Sequence, residues 1–234
     1  MTISENIRST VLLVHGAWHG AWCWEKFAPE LAALGWNVVT VDLPSSSADP
    51  DNTAGMYDDA REIRRRLDGI SGPVTVLAHS YGGLPATEAA GGADNVERLV
   101  YVSAFQLDEG ESLASQSAGQ IPEGDVGTLP ANDDPRKYFY GDVPQDDADR
   151  AADRLVLQTL KSFNEPLTRA AWKGIPSTYI VCEQDLAIPP AFQEAMAARA
   201  SRNYRIPAGH SPFLSMPAEL ARVITSDSVS EGLR

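Results

Sequence analysis

Cysteine is scarce in this chain: Cys23 and Cys182 are the only two among 234 residues. Two isolated thiols with no CxxC spacing cannot build a disulfide framework. Cys182, set in an apolar strand pattern, is expected in the core. Cations are also thin, with 19 Lys and Arg against 32 Asp and Glu and a net charge of −13. That balance offers no footprint for nucleic-acid phosphates. The one basic cluster, Arg64-Arg65-Arg66, lies in a helical pattern beside Asp58, Asp59 and Glu62 and reads as a solvated helix face. No apolar run is long enough to span a bilayer, and Met1 to Thr10 lacks the basic-then-apolar pattern of a signal peptide. A cytoplasmic protein without membrane or nucleic-acid partners is the expectation. Histidine occurs only four times. His15 and His19 have the spacing of a ligand pair, but Gly16-Ala17-Trp18 between them carries no glutamate and its glycine argues for a loop, so no metal site is expected.

What is present suits one compact domain with room for a small inserted subdomain. Short β-rich runs alternate with helical patterns, which predicts an α/β fold with a mostly parallel sheet covered on both faces. Strands are expected at Thr10–Val14, Asn37–Val41, Val74–Ala78, Leu99–Ser103, Ser177–Cys182 and Tyr204–Ile206. Helices are expected over Trp24–Leu34, where Gly35 is the stop signal, and along the face formed by Met56, Ala60, Ile63 and Leu67. Others are expected around Ala86, Ala89 and Ala90, over Ala191–Ala200, and from Pro217, with the chain fraying from about Ser226. The texture changes after Phe105. From Gln106 to Pro144 the chain is rich in Gly, Pro, Asp and Ser around one aromatic knot, Tyr138-Phe139-Tyr140, and a helix is predicted from Asp146 to Leu160. The expected organisation is a core over residues 1–105, an insertion over 106–171, and the rest of the core over 172–234.

The chemistry gathers at Val74-Thr-Val-Leu-Ala-His-Ser80-Tyr-Gly-Gly83, a strand, a tight turn and the start of a helix. A nucleophile elbow needs that context, because the turn forces the central residue into a strained conformation and lifts its side chain above the sheet edge. Ala78 stands where the short motif has its first glycine, and Gly82 supplies the second. A serine hydroxyl needs a base within hydrogen-bond reach. Elimination among the histidines selects His210, on a loop just past the last strand. His79 adjoins the serine and diverges from it, and His15 and His19 share an early loop. The base needs an acid to hold its tautomer. Asp185 stands immediately beyond a strand and keeps the chain order Ser, Asp, His, with Glu183 and Asp108 as rivals. An oxyanion needs backbone N–H donors, expected from Tyr81 and from Ala17 in the His15-Gly16-Ala17 turn.

The opening Val11-Leu-Leu-Val-His-Gly-Ala-Trp-His-Gly-Ala-Trp-Cys-Trp24 resembles the plant methylesterase and hydroxynitrile lyase group of the α/β hydrolases and their bacterial relatives. The likeness continues at Val41-Asp-Leu-Pro44, Leu77–Gly83, Glu183-Gln-Asp185 and Gly209-His-Ser-Pro-Phe-Leu214, and fades across the middle. The resemblance implies the α/β-hydrolase fold, with an eight-stranded type of core and a small cap inserted after the strand ending near Ser103. It also separates two chemistries. The lyases carry a threonine where this chain has Gly16, and a lysine just after the catalytic histidine, where it has Ser211. Both departures favour hydrolysis of a small carboxylic ester through an acyl-enzyme, with no cofactor. A carbon–carbon lyase and a ligand-binding receptor of the same fold are the alternatives. Gly16, Trp18, Phe105 and Ser211 are the expected substrate contacts. Monomer and homodimer are both compatible with the sequence.

Overall fold

A computed structural model describes residues 9–229. The expectation for the extreme N-terminus falls mostly outside them; that of fraying from about Ser226 falls partly outside, and within them the last helix (Pro217–Val229) continues through Ser226 to Val229. β1 (Thr10–Val14) is buried along its whole length, as an apolar run must be when both faces of its sheet are covered. It is followed by a 3-10 turn at Ala21–Trp24, α1 (Phe27–Ala33), β2 (Asn37–Val41), the two-residue β3 (Ser46–Ser47) and α2 (Met56–Asp68). The chain continues through β4 (Val74–Ser80), α3 (Gly83–Ala90) and β5 (Val96–Ala104).

The six long strands form one sheet in the order β2-β1-β4-β5-β8-β9, with β8 at Ser177–Cys182 and β9 at Arg202–Ile206. Every pairing in it is parallel. The described residues thus supply six core strands rather than eight. Alternation along each strand splits the core in two. Leu12, Val14, Val74 and Val76 pack with α2 and α3 on one face. Val11, Leu13, Leu77 and Val100 pack on the other, with α1 and with α10 (Pro217–Val229). The chain leaves β1 to build β2 on one side, then returns to build β4 on the other. A crevice forms at such a reversal, outside the carboxyl ends of the strands. His15 follows β1 there, and Ser80 closes β4.

Between β5 and β8 the chain makes an excursion from the sheet. It holds α4 (Leu113–Gln116), β6 (Thr128–Leu129), α5 (Pro135–Tyr140), α6 (Gln145–Ala152), β7 (Leu157–Thr159) and α7 (Leu160–Asn164). The helix predicted from Asp146 to Leu160 is therefore wrong in its second half. The helix ends at Ala152, and the next residues turn to tertiary partners. Val156 N–H donates to the Trp18 carbonyl at 2.9 Å, and β7 joins β3 and β6 in an antiparallel sheet. Thr159 then caps α7, its hydroxyl accepting from Ser162 N–H. The early helix also starts later than expected, at Phe27, because Ala21–Trp24 forms the tighter turn. Past β8 come α8 (Pro190–Ala197) and, after β9, α9 (Pro212–Ser215). Arg65 and Arg66 pair with Glu62 on the exposed side of α2.

Candidate active site

β4 lies between β1 and β5, and its last residue is Ser80. Ser80 has φ +52°, the left-handed region that side chains seldom occupy and that marks stored strain. The register with β5 shifts between His79 and Ser80. Gly82 N–H donates back to the His79 carbonyl at 2.9 Å, and α3 begins at once. The turn is pressed onto the end of β1: a Cβ on Gly82 would stand 2.4 Å from the His15 carbonyl oxygen and 3.0 Å from that of Val14. Both obstacles are backbone. Gly82→Ala is therefore expected to cost about 3 kcal/mol of stability, seen as a lower urea midpoint with an unchanged m-value. An unshifted midpoint would contradict this packing.

His210 follows β9 and is 3% exposed. Its Nδ1–H donates to Asp185 Oδ2 at 2.8 Å. That partner assigns the proton to Nδ1 and leaves the Nε2 lone pair for proton abstraction. The Ser80 hydroxyl forms no hydrogen bond among the described residues, so the link from serine to histidine is not closed in this structure. Asp185 is itself heavily held. Its Oδ1 accepts from the N–H groups of Ala187 at 2.7 Å and Ile188 at 2.9 Å. Its Oδ2 also accepts from the Ser103 hydroxyl and from Gln193 Nε2 at 3.1 Å. Burial acts to raise the Asp185 pKa, but the His210 charge and the hydrogen bonds from His210, Ser103 and Ile188 outweigh it and hold the carboxyl low. The rivals point elsewhere: Glu183 is exposed and faces Arg205, and Asp108 pairs with Lys173.

The loop after β1 is tied down by its histidines. His15 Nδ1–H donates to the Gly16 carbonyl at 2.8 Å while its Nε2 accepts from Leu43 N–H at 3.0 Å. His19 Nδ1–H donates to the Ala17 carbonyl at 2.7 Å, and its Nε2 accepts from the Tyr140 phenol at 2.8 Å. In a trans peptide the N–H points opposite to the C=O. Holding the Gly16 carbonyl therefore aims the Ala17 N–H the other way. The N–H groups of Ala17 and Tyr81 donate to nothing among the described residues. Gly16 lies against the nucleophile, since a Cβ there would stand 2.9 Å from Ser80 Cβ and 3.0 Å from His79 Nδ1. His79 in turn donates from Nε2 to the His210 carbonyl at 2.8 Å, binding the elbow to the loop that carries the base.

These histidines make the fold acid-sensitive. Burial lowers the pKa of His15, takes that of His79 well below the usual histidine value and takes that of His19 to about 3, so each favours the neutral form in the native state and gains affinity for a proton on unfolding. Asp59 works in reverse: burial pushes its carboxyl up to about 7, so it holds a proton in the native state where the unfolded chain has lost it. His19 and Asp59 nearly offset one another between pH 5 and 6, and His15 and His79 leave the unfolded state with the larger proton uptake. Stability should therefore fall on acidification through that window. Urea titrations at pH 5.0, 5.5 and 6.0 would check it, and a flat profile would contradict the neutral histidines.

Among the expected substrate contacts, half-buried Trp18, at φ +64°, stacks with Phe139 at 5.7 Å and meets the edge of Phe163 at 5.6 Å. Phe139 also lies 5.6 Å from the His210 ring, so an aromatic wall leads to His210. Phe105 donates its N–H to the Ser80 carbonyl at 3.0 Å and packs on Phe192. Ser211 is fully buried, and its hydroxyl has no hydrogen-bond partner among the described residues. A cavity of about 170 Å³ adjoins His210, lined by Tyr138, Asp142, Gln184 and Leu186; Ser80 is not in its walls. Sequence reasoning missed Ser103 and Gln193, whose partners are brought to them by the sheet. Only the left-handed φ of Ser103, +41°, marks it locally, and no sequence signal announces that.

The alpha/beta hydrolase family matches residues 11–223. The chain belongs to that family. An alpha/beta hydrolase of Aspergillus novofumigatus, nvfD, is 31% identical over 93% of this chain and 96% of its own length. Methylesterase 17 of Arabidopsis thaliana is 27% identical over 94% of this chain and 92% of its own. Among solved structures, a methylesterase from Arabidopsis superposes with a TM-score of 0.79 at 25% identity, covering 94% of this chain and 98% of that one. The α/β hydrolase described here therefore matches these relatives over nearly their full length. Among its described residues no helix is long and apolar enough to cross a membrane.

Proposed function

We propose that this α/β hydrolase cleaves a small carboxylic ester through an acyl-enzyme on Ser80. The hydrogen bond from His210 Nδ1 to Asp185 carries the reading, because it leaves Nε2 free to act as the base for Ser80, which is held in a strained elbow. Ser80 Oγ attacks the ester carbonyl carbon as its proton passes to His210 Nε2. The carbonyl oxygen becomes an oxyanion received by the Ala17 and Tyr81 N–H groups. Collapse breaks the carbon–oxygen bond to the alcohol, which leaves with the proton from His210. Water repeats the sequence on the acyl-enzyme and frees the acid and Ser80. Each proton and electron pair is accounted for by these side chains and water, and no step calls on a cofactor.

The wall of Trp18, Phe139 and Phe163 favours an apolar or aromatic group on the ester. Relatives called methylesterases favour a small alcohol as leaving group. Gly16 places no side chain beside Ser80, which supports hydrolysis over a reaction that needs a threonine hydroxyl there. The test is intact-protein mass spectrometry during turnover of short-chain p-nitrophenyl esters, followed by peptide mapping. An acyl adduct on Ser80 that decays at the turnover rate is the expected result. Turnover with no adduct on Ser80 would refute the assignment.

A further inference from the structure

Behind the oxyanion loop and the elbow runs a buried polar chain to which the reaction just proposed assigns no part. At its centre is Asp59, fully buried in the first turn of α2. Its Oδ1 accepts from Ser45 N–H at 2.8 Å, and its Oδ2 accepts from the Ser45 hydroxyl and from the Tyr81 phenol at 2.6 Å. The Ser45 oxygen accepts from Gln158 Nε2 at 2.7 Å. Gln158 is also fully buried; its Oε1 accepts from Trp18 N–H at 3.3 Å and from the Ser46 hydroxyl at 2.6 Å. The chain is continuous from Tyr81 through Asp59, Ser45 and Gln158 to Trp18.

Its two ends matter. Tyr81 follows the nucleophile and offers one oxyanion donor. Trp18 follows Ala17, which offers the other, and the peptide joining them is held at its carbonyl by His19 and at its N–H by Gln158. The two donors belong to different elements, the β4–α3 turn and the β1 loop, and only fixed spacing between those elements makes them converge on one oxygen. A buried carboxyl that forms no ion pair among the described residues is a costly way to fill space. Once ionised, above about pH 7, a carboxylate is the one small side chain that accepts from three donors and offers none. An asparagine of the same shape would turn an N–H toward Ser45 or Tyr81.

We propose that Asp59 is a positioning residue for the oxyanion hole, setting the distance between the Ala17 and Tyr81 donors through Ser45 and Gln158 on one side and the Tyr81 phenol on the other. The proposal rests on the ester-hydrolase reading. Because the network acts on the developing oxyanion and not on ground-state binding, its loss appears in kcat. A small misplacement of such donors costs on the order of 100-fold.

The experiment compares wild type with Asp59→Asn, Tyr81→Phe and the double variant on p-nitrophenyl acetate, with active sites counted by fluorophosphonate labelling of Ser80. Per labelled site, Asp59→Asn is expected to lower kcat about 30- to 100-fold with KM within about two-fold, and to weaken inhibition by phenylboronic acid in proportion. Tyr81→Phe, which keeps its N–H, should lower kcat about 5- to 10-fold, and the double variant should be no worse than Asp59→Asn. Should Asp59→Asn fail to fold, Tyr81→Phe and Ser45→Ala carry the same comparison. Unchanged kcat per labelled site, or a rise in KM without a fall in kcat, would overturn the positioning role. Wild type that neither turns over nor labels would instead overturn the ester-hydrolase reading itself.

Discussion

Ser80→Ala should reduce kcat for a p-nitrophenyl ester by about 10⁵- to 10⁶-fold and abolish the acyl-enzyme mass. The size follows from the covalent route: without Oγ no acyl-enzyme forms, and the remaining rate is what the oxyanion donors and substrate binding supply to direct attack by water. The variant should fold like the wild type. The Ser80 hydroxyl forms no hydrogen bond among the described residues, and alanine tolerates φ +52° about as badly as serine does. A matching melting curve together with lost turnover is therefore the expected pair of results. Turnover within ten-fold of wild type would remove Ser80 from the mechanism.

The second large effect is expected from Asp185→Asn, at about 10⁴-fold in kcat. An amide at this position can present its oxygen to only some of the donors now converging on the carboxylate. Ser103, Gln193, His210 and the N–H groups of Ala187 and Ile188 all donate into it. If the amide nitrogen faces His210, it forces the proton from Nδ1 to Nε2, and the base presents an N–H to Ser80 where a lone pair is needed. Combined with Ser80→Ala the change should add almost nothing, since the residues act as a unit. Activity of Asp185→Asn within ten-fold of wild type would end its role as orienting acid.

The parts of the molecule visible in the sequence are those whose signal is local. Thr10–Val14 and Ser177–Cys182 are buried on every residue, so their apolar runs need no partner to be read. Ser80, Asp185 and His210 each sit at the carboxyl end of a strand, where a motif and a chain order can be recognised. The antiparallel sheet of β3, β6 and β7 was not visible, because strands of two or three residues have no periodicity. Leu157 to Thr159 follows directly on helix-forming sequence, and its extended conformation comes from pairing with Ser46 and Ser47. Asp59 read as one more charge on a solvated helix, beside Asp58 and Glu62. Only the fold turns it inward to Tyr81 and Ser45, and neither partner is near enough in sequence to advertise the contact.

The hydrogen bond from Trp18 to Gln158 joins residues 140 positions apart, and that spacing has a meaning for protein synthesis. A chain growing from its N-terminus completes the elbow by residue 83, yet Gln158, which braces the loop opposite, emerges much later, and Asp185 and His210 later still. Until then the strained Ser80 is present without His210, Asp185 or the Gln158 brace on the β1 loop. On the proposed mechanism, the order of residues along the messenger gives the growing chain its nucleophile before its base and acid, so activity is expected only after β9 has docked.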